Sequence, residues 1–144
     1  MRRFALALVL LLLAVPAAFA ADAAALAALA RKLGLADMEG FVAAVQTIDR
    51  TGKLPPRYLD KSQAEKLGWR PGQDLCKSAP GRALGGDRFM NREGRLPARA
   101  GRTWREADLD YACGARGPKR LVYSSDGLRY VTVDHYVTFQ EVPR

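Results

Sequence analysis

Several side chains in this sequence have the types and spacing to act together on a charged substrate. The segment "TWREAD" places Glu106 and Asp108 two residues apart, on one face of any strand they join. Arg116 and Arg120 follow, four residues apart, on a connection and the next strand pattern. Antiparallel pairing returns those arginines across the carboxylate face. One carboxylate can then neutralise the arginines while the other stays free for proton transfer. A charged strand face is otherwise the ordinary solvated side of a sheet. Lys61 falls in the first turn of a short helix pattern, where the helix dipole prefers an anion. That position suits a solvated lysine, or a lysine that awaits a phosphate together with free helix N–H groups. His135 is the only histidine. Strict alternation puts it on the side of Val131, Val133, Val137 and Phe139, facing the core of an unbroken strand. A turn at that point would present it to a substrate instead.

The elements that must position these residues are readable in outline. Residues 22–33, "DAAALAALARKL", form an Ala-rich helix pattern with Asp22 as cap and Gly34 as terminator. This lead (residues 21–36) is either a propeptide or a helix packed on the domain. Residues 37–52 predict a second helix, capped by Asp37, with Met38, Phe41, Val42, Val45 and Ile48 at helical spacing and Gly52 ending it. "KLPPRY" is a stiff connector, and residues 60–68 predict a third helix that opens on a capping box of Asp60 and Gln63. Strand patterns follow: "ALGGDRF", broken by a glycine pair; "GRTWREADLDY"; a hairpin around Asp126–Gly127; and a last short strand at "YVTF". Helices first and antiparallel strands after predict an α+β domain, with N-terminal helices packed on a C-terminal antiparallel β-sheet.

The N-terminus reads as a secretory signal. "MRR" is followed by the apolar run of residues 4–15 and by "AFA" at 18–20, small residues at both positions an exporting peptidase reads. Cleavage is expected at Ala20–Ala21, leaving a secreted domain over residues 37–144 behind its Ala-rich lead. The run is too short for a membrane span, so no stable membrane association is expected after cleavage. The formal charge of +8 falls to +6 without Arg2 and Arg3, which favours an anionic partner such as nucleic acid. Cys76 and Cys113 are the only cysteines, and in an exported protein such a pair reads as a disulfide. Two cysteines, one histidine and no CxxC exclude the usual zinc spacings.

"DKSQAEKLGW", "APGRALGGDRFMNREGRLPARAGRTWREADLDY", "CGARGPKRLVYSSD" and "TVDHYVTF" together resemble the barnase-like bacterial branch of the microbial guanyl-preferring ribonucleases, over residues 38–142. The resemblance implies the microbial ribonuclease fold and a metal-independent endoribonuclease without cofactor that cleaves single-stranded RNA after guanosine. It implies Glu106 as general base and His135 as general acid, with Lys61, Arg92, Arg116 and Arg120 around the phosphate. Glu93 would read guanine, helped by the backbone N–H groups of Asn91 and Arg92; Phe89 and His135 would flank the base, and Tyr136 would line the subsite. Asp108 would be the structural anion between the arginines. It places the chain turn at Asp134–His135, so that two short strands are read as one. It also implies a monomer, RNA as substrate, and a small acidic barstar-like inhibitor protein as partner. The rival readings are a basic RNA-binding module with degenerate chemistry and a toxin domain delivered to competitor cells. The chain departs from the family pattern at Met90, Ala115 and Gly127, in the basic "GPKR" loop, and in the cysteine pair.

Overall fold

The computed structural model describes residues 17–144; most of the expected signal segment lies outside these residues. Helix α1 spans Ala17–Lys32, α2 Met38–Thr51 and α3 Lys61–Lys66. The strands are β1 (Tyr58–Leu59), β2 (Ala83–Phe89), β3 (Trp104–Asp108), β4 (Arg120–Ser124), β5 (Arg129–Thr132) and β6 (Gln140–Glu141). They form one six-stranded sheet in sequence order. It is antiparallel from β2 to β6, as the alternation predicts, and gains one short parallel pair where β1 joins β2. The stiff connector before α3 thus ends in a strand that the sequence did not announce.

Local chemistry explains most boundaries. Asp37 caps α2 by accepting the Gly40 N–H at 2.8 Å, and Gly52 closes the helix in the left-handed region at φ 71°. Asp60 and Gln63 form the expected reciprocal capping box of α3. Among the described residues α1 is already helical at Ala17, ahead of the expected cap Asp22, and the expected cleavage point falls inside it. Nothing between Ala17 and Asp22 opposes a helix, because alanine is the best helix former. The last strand also differs from expectation. Residues 136–139 belong to a turn and an extended link, and β6 forms at Gln140–Glu141 instead.

The helices pack on one face of the sheet. Leu26, Leu29 and Ala30 of α1 and Phe41, Val45 and Ile48 of α2 bury against Ala107, Leu121, Tyr123 and Val131. The other face carries a smaller cluster of Leu96, Trp104 and Val122, flanked by Phe89, Tyr130 and Phe139. A third cluster, around Trp69, Leu75 and Leu84, seats α3. Among the described residues, no helix is long and apolar enough to cross a membrane.

A bulge decides what faces the second side. Gly85 pairs with Ala107, but Asp87, not Gly86, pairs with Glu106. Gly86 is the extra residue, at φ 104°. Regular alternation would leave Phe89 on the helix side with Ala83 and Gly85. The bulge turns Asp87 and Phe89 onto the side of Glu106 and Trp104 instead. Gly85 is needed for a different reason: a Cβ there would lie 2.7 Å from Tyr58 and 2.9 Å from the Ala107 Cβ.

Cys76 and Cys113 form the expected disulfide, tying the 3-10 turn at Leu75–Lys77 to the loop after β3. Tyr111 reinforces the same junction: its hydroxyl accepts the Leu75 N–H at 3.0 Å and lies 2.9 Å from Asp74 Oδ1. The bridge closes a loop of about 38 residues, which the chain-entropy model values at roughly 4 kcal/mol. Changing both cysteines to alanine is expected to lower the unfolding free energy by about 2–4 kcal/mol, read from urea unfolding. An unchanged midpoint would assign the junction to Tyr111 and Asp74 alone.

Candidate active site

The β3–β4 register sets the charged centre. Asp108 lies directly opposite Arg120, and Glu106 opposite Val122. Asp108 is buried and binds both arginines. Arg116 donates to it twice, from Nε at 2.8 Å and Nη2 at 2.7 Å. Arg120 Nε lies 3.0 Å from Asp108 Oδ1, an ion pair without hydrogen-bond alignment, since the Nε–H finds no acceptor. Arg120 Nη1 donates instead to the carbonyls of Gly117 (2.6 Å) and Lys119 (2.8 Å). One carboxylate thus holds two guanidiniums, and Glu106 makes no ion pair among the described residues.

Glu106 has a different partner. The Tyr136 hydroxyl donates to Glu106 Oε2 at 2.5 Å. Burial first, and then the bond to Glu106 and its negative charge, push the Tyr136 phenol up to about 12. The phenol therefore stays protonated and keeps donating throughout the neutral range. Its ring stacks on Phe89 at 5.2 Å, touches His135 at 4.8 Å, and has the Arg120 guanidinium 6.0 Å from its centroid. Tyr136 therefore joins Glu106, His135, Arg120 and Phe89 into one group.

His135 is exposed and sits on a turn; it is not packed among Val131, Val133 and Phe139. Both His135 (φ 54°) and Tyr136 (φ 70°) occupy the left-handed region, which disfavours residues with a Cβ. Several bonds hold them there. Asp134 Oδ1 accepts from the Thr132 hydroxyl and the Thr138 N–H, each at 2.9 Å, and Oδ2 accepts from the Thr138 hydroxyl at 2.6 Å. The Tyr136 N–H donates to Thr132 Oγ1, and the His135 N–H to the Pro118 carbonyl at 3.2 Å.

Beside this turn lies an open cavity of about 180 Å³, lined by Phe89, Met90, Asn91, Arg92, Glu93, Arg95, Tyr136 and Phe139. Every residue expected to contact a base lines it, apart from His135. The loop is closed by the Asn91 side chain, which exchanges hydrogen bonds with the Leu96 backbone at 2.9 and 3.1 Å. The Gly94 N–H adds a bond to the Asn91 carbonyl. None of these uses the N–H of Asn91 or Arg92. Glu93 is largely exposed and pairs with Arg95 at 3.0 Å. Arg95 also donates to the carbonyls of Tyr136 (2.7 Å) and Val137 (2.8 Å), linking the two walls of the cavity.

Lys61 stands apart from this group, on α3. Its backbone N–H donates to Asp87 Oδ2 at 3.1 Å, and Asp87 is the cross-strand neighbour of Glu106. The N–H groups of Asp60 and Gln63 are taken by the capping box. The helix start therefore offers no set of free N–H groups to a phosphate; the Lys61 ammonium and the Ser62 N–H remain. The one cluster with metal-ligand types among the described residues is Asp74, Cys76 and Cys113, where the disulfide removes both thiolates.

Sequence reasoning missed Asp134, Arg95 and Asp87. Asp134 had a local signal, threonines two before and four after it, the pattern of a side-chain-closed turn. Arg95 and Asp87 act across strands and loops and had none.

An α+β fold that brings a carboxylate, a histidine turn and two arginines beside a base-sized cavity suits cleavage of a nucleic acid backbone. A family model described as ribonuclease matches residues 42–143. The ribonucleases of Bacillus intermedius and Bacillus pumilus are each 50% identical over 109 residues, covering 75% of this chain and 67% of theirs. That of Heyndrickxia coagulans is 55% identical over 94 residues, 65% of this chain and 86% of its own. A crystal structure of ribonuclease Sa2 with guanosine-2'-cyclophosphate matches at 30% identity over 64% of this chain and 89% of that one, with a TM-score of 0.36. The chain belongs to the microbial, barnase-like ribonuclease family and is an RNA endonuclease.

Hydrogen bonds to Thr138, first its hydroxyl and then its N–H, hold the Asp134 carboxyl down at about 2, below its ordinary 3.8. A depressed carboxylate stabilises the fold fully above the unfolded value, and that contribution is lost as pH falls through about 2. An NMR titration should therefore place the Asp134 midpoint near 2 and show the His135 turn intact down to that pH. In Thr138→Val the midpoint should move up; an unmoved midpoint would eliminate the hydroxyl as the cause.

Proposed function

We propose that the protein is a secreted, metal-independent endoribonuclease that cleaves single-stranded RNA after guanosine. The reaction forms a 2',3'-cyclic phosphate, which water then opens. RNA supplies its own nucleophile, the 2'-OH. Glu106 takes the 2'-OH proton as the oxygen attacks phosphorus. His135 protonates the leaving 5'-oxygen. In the second step the roles reverse, with His135 activating water and Glu106 returning the proton. The observation that carries this reading is the division of labour on β3. Asp108 holds both arginines, while Glu106 is left with a neutral hydroxyl donor beside the exposed His135.

The phosphorane carries more negative charge than the ground state, so Arg116, Arg120, Lys61 and Arg92 favour it selectively. Glu93 reads the base. Guanine offers N1–H and N2–H₂ donors to one carboxylate, and adenine has no matching pair on that edge. The Glu93–Arg95 pair is exposed, and such pairs contribute only about 0–1 kcal/mol, so a base displaces it at little cost. The N–H groups of Asn91 and Arg92 and the rings of Phe89 and Tyr136 complete the base site, with His135 at its edge.

Secretion is supported by the disulfide, which persists in oxidising compartments, and by the signal pattern of residues 1–20. The enzyme acts as a monomer. The cationic site fits a small acidic inhibitor protein by electrostatic complementarity. The rival reading, RNA binding without turnover, is an outcome of the same experiment.

Synthetic dinucleotides that differ only in the 5' base, assayed with EDTA, test the proposal. GpN should be cleaved fastest, with a cyclic phosphate as first product. Equal rates for all bases would sink the guanine preference, and binding without cleavage would favour the RNA-binding module. Glu106→Ala and His135→Ala should each lower kcat by about 10²–10⁴-fold with the fold intact. Near-normal turnover in either variant would reject its assigned role.

A further inference from the structure

We propose that Lys119 is a positioning residue for the phosphodiester chemistry: its side chain anchors the Gly117–Lys119 segment to the end of α1, and the carbonyls of that segment hold Arg120 and His135 in place. The inference rests on the roles proposed above for Arg120 and His135.

Three consecutive carbonyls do the holding. Gly117 and Lys119 accept from Arg120 Nη1 at 2.6 and 2.8 Å. Pro118, between them, accepts the His135 N–H at 3.2 Å. The segment has no regular structure of its own, and Gly117 and Pro118 are exposed. Its carbonyls can orient two side chains only if something fixes the segment. A backbone bond from the Leu109 N–H to the Lys119 carbonyl, at 3.1 Å, fixes one end to β3. The Lys119 side chain supplies the rest.

Lys119 Nζ donates to the Gly34 carbonyl at 2.7 Å and to Asp110 Oδ2 at 2.8 Å. Gly34 adopts φ 65° just after α1, and Asp110 adopts φ 56° just after β3. The Asp110 carboxylate is itself docked on the N–H groups of Ala36 (2.8 Å) and Asp37 (2.9 Å). The Lys119–Asp110 pair is mostly shielded, with side chains 26% and 12% exposed. An ion pair of that kind, with both ends further hydrogen-bonded, fixes geometry where an exposed pair would not.

The far end of the tether is rigid because α1 is part of the core. Leu26, Leu29, Ala30 and Leu35 bury in the same cluster as Leu109 and Leu121, which directly follow Asp108 and Arg120 in sequence. α1 lies before the residues matched by the family model, so the family match does not account for it. The Ala-rich lead thus has a role in the site, as the abutment from which Lys119 aligns a phosphate-binding arginine and the proposed general acid.

The test uses the full chain, with GpN as substrate, and compares Lys119→Ala, Lys119→Arg and Val45→Ala. Val45→Ala truncates the same core at a residue that makes none of the tether's bonds and serves as the stability control. Lys119→Ala is expected to lower kcat about tenfold, with KM changed by less than about twofold, because small displacements of reacting groups cost rate and not base affinity. Lys119→Arg should recover most of the loss. Val45→Ala should lower Tm and leave kcat unchanged. A second readout needs no activity: hydrogen exchange at the His135 amide should speed up in Lys119→Ala and not in Val45→Ala. Wild-type kcat or wild-type His135 exchange in Lys119→Ala overturns the inference, as does an equal kcat loss in Val45→Ala. If the unaltered protein fails to cleave GpN, the guanosine reading falls, and the His135 exchange still decides whether Lys119 positions the turn.

Discussion

The site depends on one buried carboxylate. Asp108 is almost fully enclosed and is opposed by two guanidiniums, one from its cross-strand neighbour and one from the preceding loop. Arg120, almost fully buried, would be costly so close to the core without it. Asp108 would in turn be an uncompensated buried charge without the two guanidiniums, a loss of about 3–5 kcal/mol in comparable cases. The arrangement also fixes register. A slip of one residue between β3 and β4 would send Asp108 to the helix face and break both contacts at once. Two cations on one anion leave a net positive charge, directed to the side of the sheet where Glu106 lies. The core thus contributes to the electrostatics of the surface.

The turn at His135 is a second constraint, built against a local preference. Two successive residues with a Cβ in the left-handed region cost on the order of 1–2 kcal/mol each. That conformation persists because Asp134, Thr132, Arg95 and the Pro118 carbonyl each bind a different part of the turn. The strain has a use. It reverses the chain so that His135 projects outward while Tyr136 folds back to Glu106, which a regular strand could not do. Strained backbone at a site where groups must be fixed in advance is the pattern expected of functional turns.

Much of this was legible in the residues, and what was not has definite causes. The caps of α2 and α3 and the Asp126–Gly127 hairpin depend on neighbours close in sequence, and spacing revealed them. Spacing also showed that one of Glu106 and Asp108 could take the arginines, but which one depends on the β3–β4 register. The alternation around His135 misled because two valines before the turn and two apolar residues after it happen to share parity. The bulge at Gly86 was visible only as a glycine pair; its effect, moving Phe89 to the other face, depends on the partner strand. α1 extended beyond its expected start because alanine does not mark an end. The Lys119–Gly34 contact joins residues far apart in sequence, and no local pattern encodes it. Local chemistry therefore gave the elements and the reacting groups, and the fold alone gave the parts that hold them still.

Arg95 shows why that holding matters for the proposed reaction. Its guanidinium joins Glu93, on one wall of the cavity, to the carbonyls of Tyr136 and Val137 on the other. If Glu93 reads the base as proposed, the base releases one contact of Arg95 but leaves its two bonds to the turn. The pair being broken is exposed and weak, whereas the base donors that replace it bind a carboxylate shielded by the base itself. Base entry can therefore proceed without loosening the histidine turn. An Arg95 bound to Glu93 alone would compete with the base and stabilise nothing; one bound to the turn alone would leave the loop wall free to drift. Joining both lets the cavity exchange one partner while the spacing between the base site and His135 stays fixed, which is the condition for base recognition to act on the position of the phosphate.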